Sequence, residues 1–209
     1  MSEFINGFGE DVNKVQAYSG GDNPQPLKAG GYILQIRGAK IQRVSTGASK
    51  IVFAFDIMEG DQKDYFQHLY EYKKRWNNNP KWLGTFDCFI PDKGNGSEEA
   101  LQRYQRSLQK LKGAVTAIND SNPHSAPIDI MKSFSLDEFQ RKVVGGIFGD
   151  KEWNWNGRTG MRAECRWFIS ASRIHSGDFI IPDPQYLTSS PPSQSSDFGN
   201  VISDGDVPF

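Results

Sequence analysis

Hydrophobic and polar positions alternate in two early stretches of the chain, and a period of two is the signature of a half-buried strand. After Gly30-Gly31, Tyr32, Leu34 and Ile36 fall on one face of a stretch that runs on to Ile41. After a Thr46-Gly47 turn, Ile51, Phe53, Phe55 and Ile57 alternate in the same way. Glu59-Gly60-Asp61 marks a further turn, and Tyr65 to Tyr72 reads as a third strand, giving an antiparallel meander. The period then changes. Leu101, Tyr104, Leu108, Leu111, Val115 and Ile118 recur at spacings of three and four, which predicts a helix from Ser97 to Ile118 with one apolar stripe. Ser97 suits the N-cap, Glu98 and Glu99 put negative charge where the helix dipole favours it, and Asn122-Pro123 ends the helix. The opposite face carries Arg103, Arg106, Lys110 and Lys112, either as a solvated face or as the border of a phosphate track.

Ser135-Leu136-Asp137-Glu138 has the capping-box pattern that opens a short helical turn. Val143 to Gly149 reads as a strand with glycines where the backbone is approached closely, Asn156-Gly157 as a hairpin turn, and Ala163 to Ile174 as the last long strand. The class is therefore mainly β with some α. Strands, one long helix and further strands suit a small five-stranded antiparallel barrel of the oligonucleotide-binding kind (an OB-fold), elaborated by insertions. Other β-barrels with a helix suit this order nearly as well.

Composition divides the chain into three parts. Residues 1–27 are polar and Gly-rich with Asn23-Pro24-Gln25-Pro26, and read as a loosely ordered arm ahead of a folded domain over 28–187. Residues 188–209 are rich in Ser, Pro, Gly and Asp, too poor in apolar side chains to offset their ordering entropy, and read as a disordered acidic tail. The net charge is −1, with 24 Lys and Arg against 25 Asp and Glu. Three of those acids and no base lie beyond Leu187, so the preceding part holds 24 bases and 25 − 3 = 22 acids, a formal +2. Cys88 and Cys165 stand far apart without a Cys/His cluster, which favours free thiols over a disulfide framework or a zinc site. The start lacks a signal-peptide pattern and no apolar run is long enough to span a bilayer, so a cytoplasmic protein is expected.

Two stretches interleave aromatic and cationic residues, the combination that lets bases stack while cations follow the phosphates. The first is Tyr70-Glu71-Tyr72-Lys73-Lys74-Arg75-Trp76 followed by Lys81-Trp82. Its Asn77-Asn78-Asn79-Pro80 insert suggests a loop that projects both Trp residues. The plainer alternative makes Tyr70 and Tyr72 core and Lys73 to Arg75 a solvated loop. The second stretch is Trp153-Asn154-Trp155-Asn156-Gly157-Arg158, then Arg162, Arg166 and Trp167. Alternation puts Trp153 and Trp155 on one face of a hairpin, and Arg162, Glu164 and Arg166 on one face of its second strand. Burial of both Trp residues as core is the competing reading. The stacking candidates are Trp76, Trp82, Trp153 and Trp155 together with Tyr72. The phosphate candidates are Lys73, Lys74, Arg75, Lys81, Arg158 and Arg162.

Enzymatic signals are weak. His68, His124 and His175 lack metal-ligand spacing, and no phosphate-binding loop or nucleophile elbow occurs. Asp56, Glu59 and Asp61 could hold a nuclease metal, but acids at a strand end and turn are ordinary. No catalytic residue, cofactor or metal is expected.

The chain ends in Asp204-Gly205-Asp206-Val207-Pro208-Phe209. This resembles the acidic, Pro-Phe-terminated tail of single-stranded DNA-binding proteins of bacteria and their phages, although Gly205 interrupts the acids and Val207 stands where Ile or Leu is frequent. The body is similar to a family of phage proteins encoded beside replication or recombination genes. The matching stretches are Gly30-Gly31-Tyr32, Ile51 to Gly60, Ala117 to Pro123, Val144 to Gly149 and Ile174 to Phe179, within residues 28–187. The resemblance implies sequence-independent binding of single-stranded DNA in phage replication, recombination or repair. It also implies a tail that recruits replication or repair proteins through Asp204, Asp206, Val207, Pro208 and Phe209. Two other classes stay open: an annealing accessory acting mainly through protein contacts, and a metal-dependent nuclease. No membrane partner is expected, and self-association is left open.

Overall fold

The alternation around Leu34 and Ile36 becomes strand β1 (Gly30–Arg43), with both side chains fully buried. The computed structural model describes residues 9–14 and 24–187. β2 (Ser49–Ile57) returns along β1, and β3 (Thr85–Phe89) along β2. β4 (Val143–Trp155) takes the other edge of β1, and β5 (Arg158–Ile169) pairs with β4. All pairs are antiparallel and the order is β3-β2-β1-β4-β5. Three sequential strands with a fourth returning beside the first through a long connection form a Greek key. Around the sheet lie α1 (Tyr65–Lys74), α2 (Glu98–Ser121) and α3 (Ala171–Ser176), with 3-10 turns at Gly9–Lys14 and Leu136–Phe139.

The expected closed barrel is not formed: the five strands make an open sheet. Its edges nevertheless approach each other, since Phe86 on β3 and Phe168 on β5 have ring centroids 4.4 Å apart. α2 packs against both edge strands and β4. Curvature begins in β1, where the register slips from Ile36 opposite Phe55 to Gly38 opposite Ala54 and leaves Arg37 in a bulge. The enclosed core is built of phenylalanine rings in edge-to-face contact. Phe53 meets Phe139 at 5.0 Å and 82°, and Phe55 meets Phe148 at 5.9 Å and 89°. Such pairs add about 0.5–1.5 kcal/mol each beyond area burial. Burial also pushes the Cys88 thiol up to about 12 and the Cys165 thiol well above its usual range, so both are neutral at pH 7.

Three expectations about elements need correction. Tyr65 to Tyr72 is the helix α1, not a strand, and the third strand is instead Thr85–Phe89. Helix geometry wins because the Asp56 carboxylate, reaching over from β2, accepts the backbone N–H groups of Phe66 and Gln67 at 2.9 and 3.1 Å. These are amide groups in the first turn that a helix cannot satisfy internally. Asp64 at the N-cap has left-handed backbone and makes no capping bond of its own, so the cap comes from distant sequence. The last strand stops at Ile169, and Ala171–Ser176 is α3 rather than a continuation. Finally, the predicted helix stripe is buried only in its second half. Leu111, Val115 and Ile118 are buried, whereas Leu101 and Leu108 are 40% and 37% exposed.

The end of α2 is fastened by polar side chains. Asn119 exchanges two hydrogen bonds with the backbone of Ile128, both 2.9 Å. Ser121 Oγ donates to Ala117 O and accepts from Ala171 N, joining α2 to α3. Asn122 donates to Ile118 O and Val143 O and accepts from Val143 N, which fixes where β4 starts. The stretch Ala117 to Asn122 is thus a structural clasp. Two strand glycines make room for α3: a Cβ on Gly145 would lie 2.6 Å from Ile174 Cγ1, and one on Gly31 2.8 Å from Ile174 Cδ1. Leu27, at the end of the expected arm, is buried in the core, and its N–H donates to Tyr65 Oη. Among the described residues no helix is long and apolar enough to cross a membrane.

Candidate nucleic-acid interface

β4 and β5 run far past the edge of β1. β1 pairs with β4 only as far as Phe148, but β4 and β5 continue to pair out to Trp155 and Arg158 around the Asn156-Gly157 tip. Asn156 adopts φ 49° and Gly157 φ 73°, the left-handed pair that a two-residue hairpin turn with matching twist demands. In an antiparallel ladder directly opposed residues share a face. Trp155 opposes Arg158, Trp153 opposes Gly160, Lys151 opposes Arg162 and Gly149 opposes Glu164. One face of the projecting hairpin therefore holds two indoles and three cations.

The rings on this face differ in seating. Trp153 is half-buried and lies across the backbone of Gly160: a Cβ there would sit 2.8–3.0 Å from three atoms of the indole. Only glycine at that position lets the ring lie flat. Trp155, at the tip, is 69% exposed. Glu164 partly neutralises the base of the face, bonding Lys151 at 3.0 Å and Arg162 at 2.5 Å. Arg158, exposed beside Trp155, has no ion-pair partner among the described residues. The positive charge available to an anion is therefore greatest at the tip, next to the most exposed ring.

A strap holds the base of the hairpin. Beyond Phe148 the β1 side of β4 is taken over by the segment 182–187. There Gln185 N donates to Asp150 O and Glu152 N to Gln185 O, at 2.9 and 2.7 Å. Arg166 bonds the Gln185 side chain, Glu152 accepts Leu187 N, and Pro182 lies over Gly149. Nothing in the sequence of this segment marked it as a sheet edge, because its pairing partner is fixed only by the course of α3.

The other candidate cluster is dispersed. Lys73, Lys74 and Tyr72 sit in the last turn of α1, Arg75 is its C-cap and Trp76 follows, 69% exposed. Trp82 does not accompany them to the surface. It is 9% exposed, its indole N–H donates to Phe55 O and Gly84 O at 3.1 Å, and the Arg37 guanidinium covers its ring at 4.9 Å. Tyr70 leans on the same indole, with centroids 5.9 Å apart. Trp82 is a core residue, and Lys81 beside it is half-buried. Arg37 is in turn tied to Asp56 at 2.9 Å and to Gln67 at 3.1 Å.

The three acids considered as a metal site are engaged or dispersed. Asp56 is buried and accepts from Ile57 N, Phe66 N, Gln67 N and Arg37. Burial pushes its carboxyl up, against the opposing pull of those hydrogen bonds and the guanidinium. Glu59 bonds His175 at 3.0 Å. No group of three His, Cys, Asp or Glu able to hold a metal ion is found among the described residues. The tail candidates Asp204, Asp206, Val207, Pro208 and Phe209 lie outside the described residues. No protein-family model matches the chain, and no curated protein matches it.

Proposed function

We propose that this protein binds single-stranded DNA without sequence preference, using the projecting β4–β5 hairpin as its principal contact. The observation that carries the reading is the hairpin face itself, with Trp153 seated flat on Gly160, Trp155 exposed at the tip and Arg158 beside it. Flat apolar rings with adjacent cations meet the two demands of a flexible polyanion, at about 1–3 kcal/mol per stacked base. A duplex, with its bases already stacked inside, offers such rings nothing to stack on.

The fold supports the same reading. We take the open sheet as a variant of the five-stranded, partly open Greek-key barrel that binds oligonucleotides. The strand order, the meeting of Phe86 with Phe168 across the gap and the helix between β3 and β4 all favour it. The tail residues Asp204 to Phe209 would serve recruitment of replication, recombination or repair proteins: a ring for an apolar pocket and two carboxylates for salt-dependent attraction.

Intrinsic Trp fluorescence titrated with oligothymidine tests the reading. Quenching that saturates at low salt and weakens steeply as salt rises is the expected result, because phosphate binding releases counterions. No response at low salt overturns it, and strand loss on adding magnesium would favour a nuclease instead.

A further inference from the structure

Part of one face of α2 stands open among the described residues, and the pattern suits a second copy of the helix. Leu101 and Leu108 are exposed, while Tyr104 between them is half-buried with the Lys93 ammonium 5.6 Å from its ring. Leu101, Tyr104 and Leu108 recur along one stripe of the helix's first half, where Leu101 and Leu108 are both more than a third exposed. The stripe borders an apolar groove of about 310 Å³ between α2, the ends of β1 and β3, and the segment 128–136. Ile41, Ile51, Ile90, Leu108, Phe134 and Leu136 are among its lining, and no polar side chain is. Ile41 is 59% exposed within it. An apolar groove beside an apolar helical stripe accepts an amphipathic helix.

The distribution of residues about Gln105 selects the occupant. A twofold axis beside Gln105 would place two antiparallel copies of α2 so that positions equally distant from it meet. Leu101, four residues before Gln105, then lies within about 1.5 Å along the helix of the partner's Leu108, three residues after it, twice by symmetry. Glu98 meets the partner's Lys112, also twice. Both residues sit on the shoulders of the stripe at 3.6 residues per turn. Lys112 lies one turn beyond Leu108, not on the opposite face expected for it beside Arg103, Arg106 and Lys110. Neither Glu98 nor Lys112 has an ion-pair partner among the described residues. Arg103, Arg106 and Lys110 fall on the far side of the helix and stay clear of their counterparts. A parallel pairing would instead set Glu98 against Glu98 and Lys112 against Lys112. We propose that the protein self-associates into a twofold dimer through the first half of α2, each copy's Leu101 entering the groove beside the other's Leu108. The proposal does not depend on the nucleic-acid reading, because the hairpin takes no part in it.

Light scattering coupled to size exclusion, on the full chain without DNA, tests it. The expected mass is twice 23.5 kDa at tens of micromolar. Leu108→Glu should weaken association by about 100-fold or more, as expected when a charge is placed at the centre of an interface. Glu98→Lys and Lys112→Glu should each weaken association, and the two together should restore it, a rescue that misfolding cannot produce. Gln105→Cys should form a disulfide-linked dimer under mild oxidation, whereas Arg103→Cys on the far face should not. A chain that stays monomeric at every concentration overturns the proposal. So does a dimer unaffected by Leu108→Glu, or one that forms only when residues 188–209 are removed, which would make the tail the occupant.

Discussion

The α1 end and the β4–β5 hairpin look alike as sequence: each has two Trp residues, intervening Asn, and several cations within fifteen positions. They end up opposite in character. In the first, Trp82 is drawn under Arg37 and bonded to two backbone carbonyls, and only Trp76 is left at the surface. In the second, the antiparallel register holds both rings on one face and sets a glycine beneath one of them. Interleaved aromatics and cations therefore do not define a binding surface by themselves. What distinguishes the two is whether the backbone gives successive rings a common direction. A two-residue hairpin does this automatically, whereas a helix end followed by a loop sends each ring its own way.

The contrast can be broken most violently at Trp82. Trp82→Ala should lower stability by about 3–5 kcal/mol, the range for removing a buried aromatic, while Trp155→Ala should leave stability within about 0.5 kcal/mol; urea unfolding of both variants checks this. Next comes the device that makes α1 a helix. Asp56→Ala should cost about 3 kcal/mol, because it leaves the Phe66 and Gln67 N–H groups and the Arg37 charge without their acceptor. The same substitution should release α1, seen as faster amide exchange at residues 65–70. On the hairpin the effects should fall on binding instead. Trp155→Ala should weaken oligothymidine affinity by about 1–3 kcal/mol. Gly160→Val, which forces the Trp153 indole off its seat, should weaken it by several-fold with the fold intact. Smallest is Arg158→Gln, expected to reduce the salt slope of binding by about one phosphate contact.

Much of the fold was legible because it is written locally. The alternation at Ile51, Phe53, Phe55 and Ile57 gives β2, the Ser97 cap with Glu98 and Glu99 gives the start of α2, and Asn156-Gly157 gives the hairpin turn. What misled was non-local. Tyr65 to Tyr72 has strand composition, but a carboxylate on β2 organises it as a helix, and no short window contains that fact. Likewise the stripe of α2 is continuous in sequence, yet Leu111, Val115 and Ile118 are buried while Leu101 and Leu108 are exposed, a difference set by what packs against the helix and not by its own period. The site divides in the same way. Register around the turn is local and made Trp153 and Trp155 readable as a pair. Burial of Trp82 depends on Arg37 and on the carbonyls of Phe55 and Gly84, contributed mostly from other strands.

The central claim is that the hairpin face, and not the end of α1, receives the strand. The direct measurement is the equilibrium affinity for a short oligothymidine, compared between Trp155→Ala and Trp76→Ala in the same buffer. The hairpin account predicts a loss of about fivefold or more for Trp155→Ala and a change within about twofold for Trp76→Ala. Unchanged affinity for Trp155→Ala together with a large loss for Trp76→Ala would contradict it and move the interface to the end of α1.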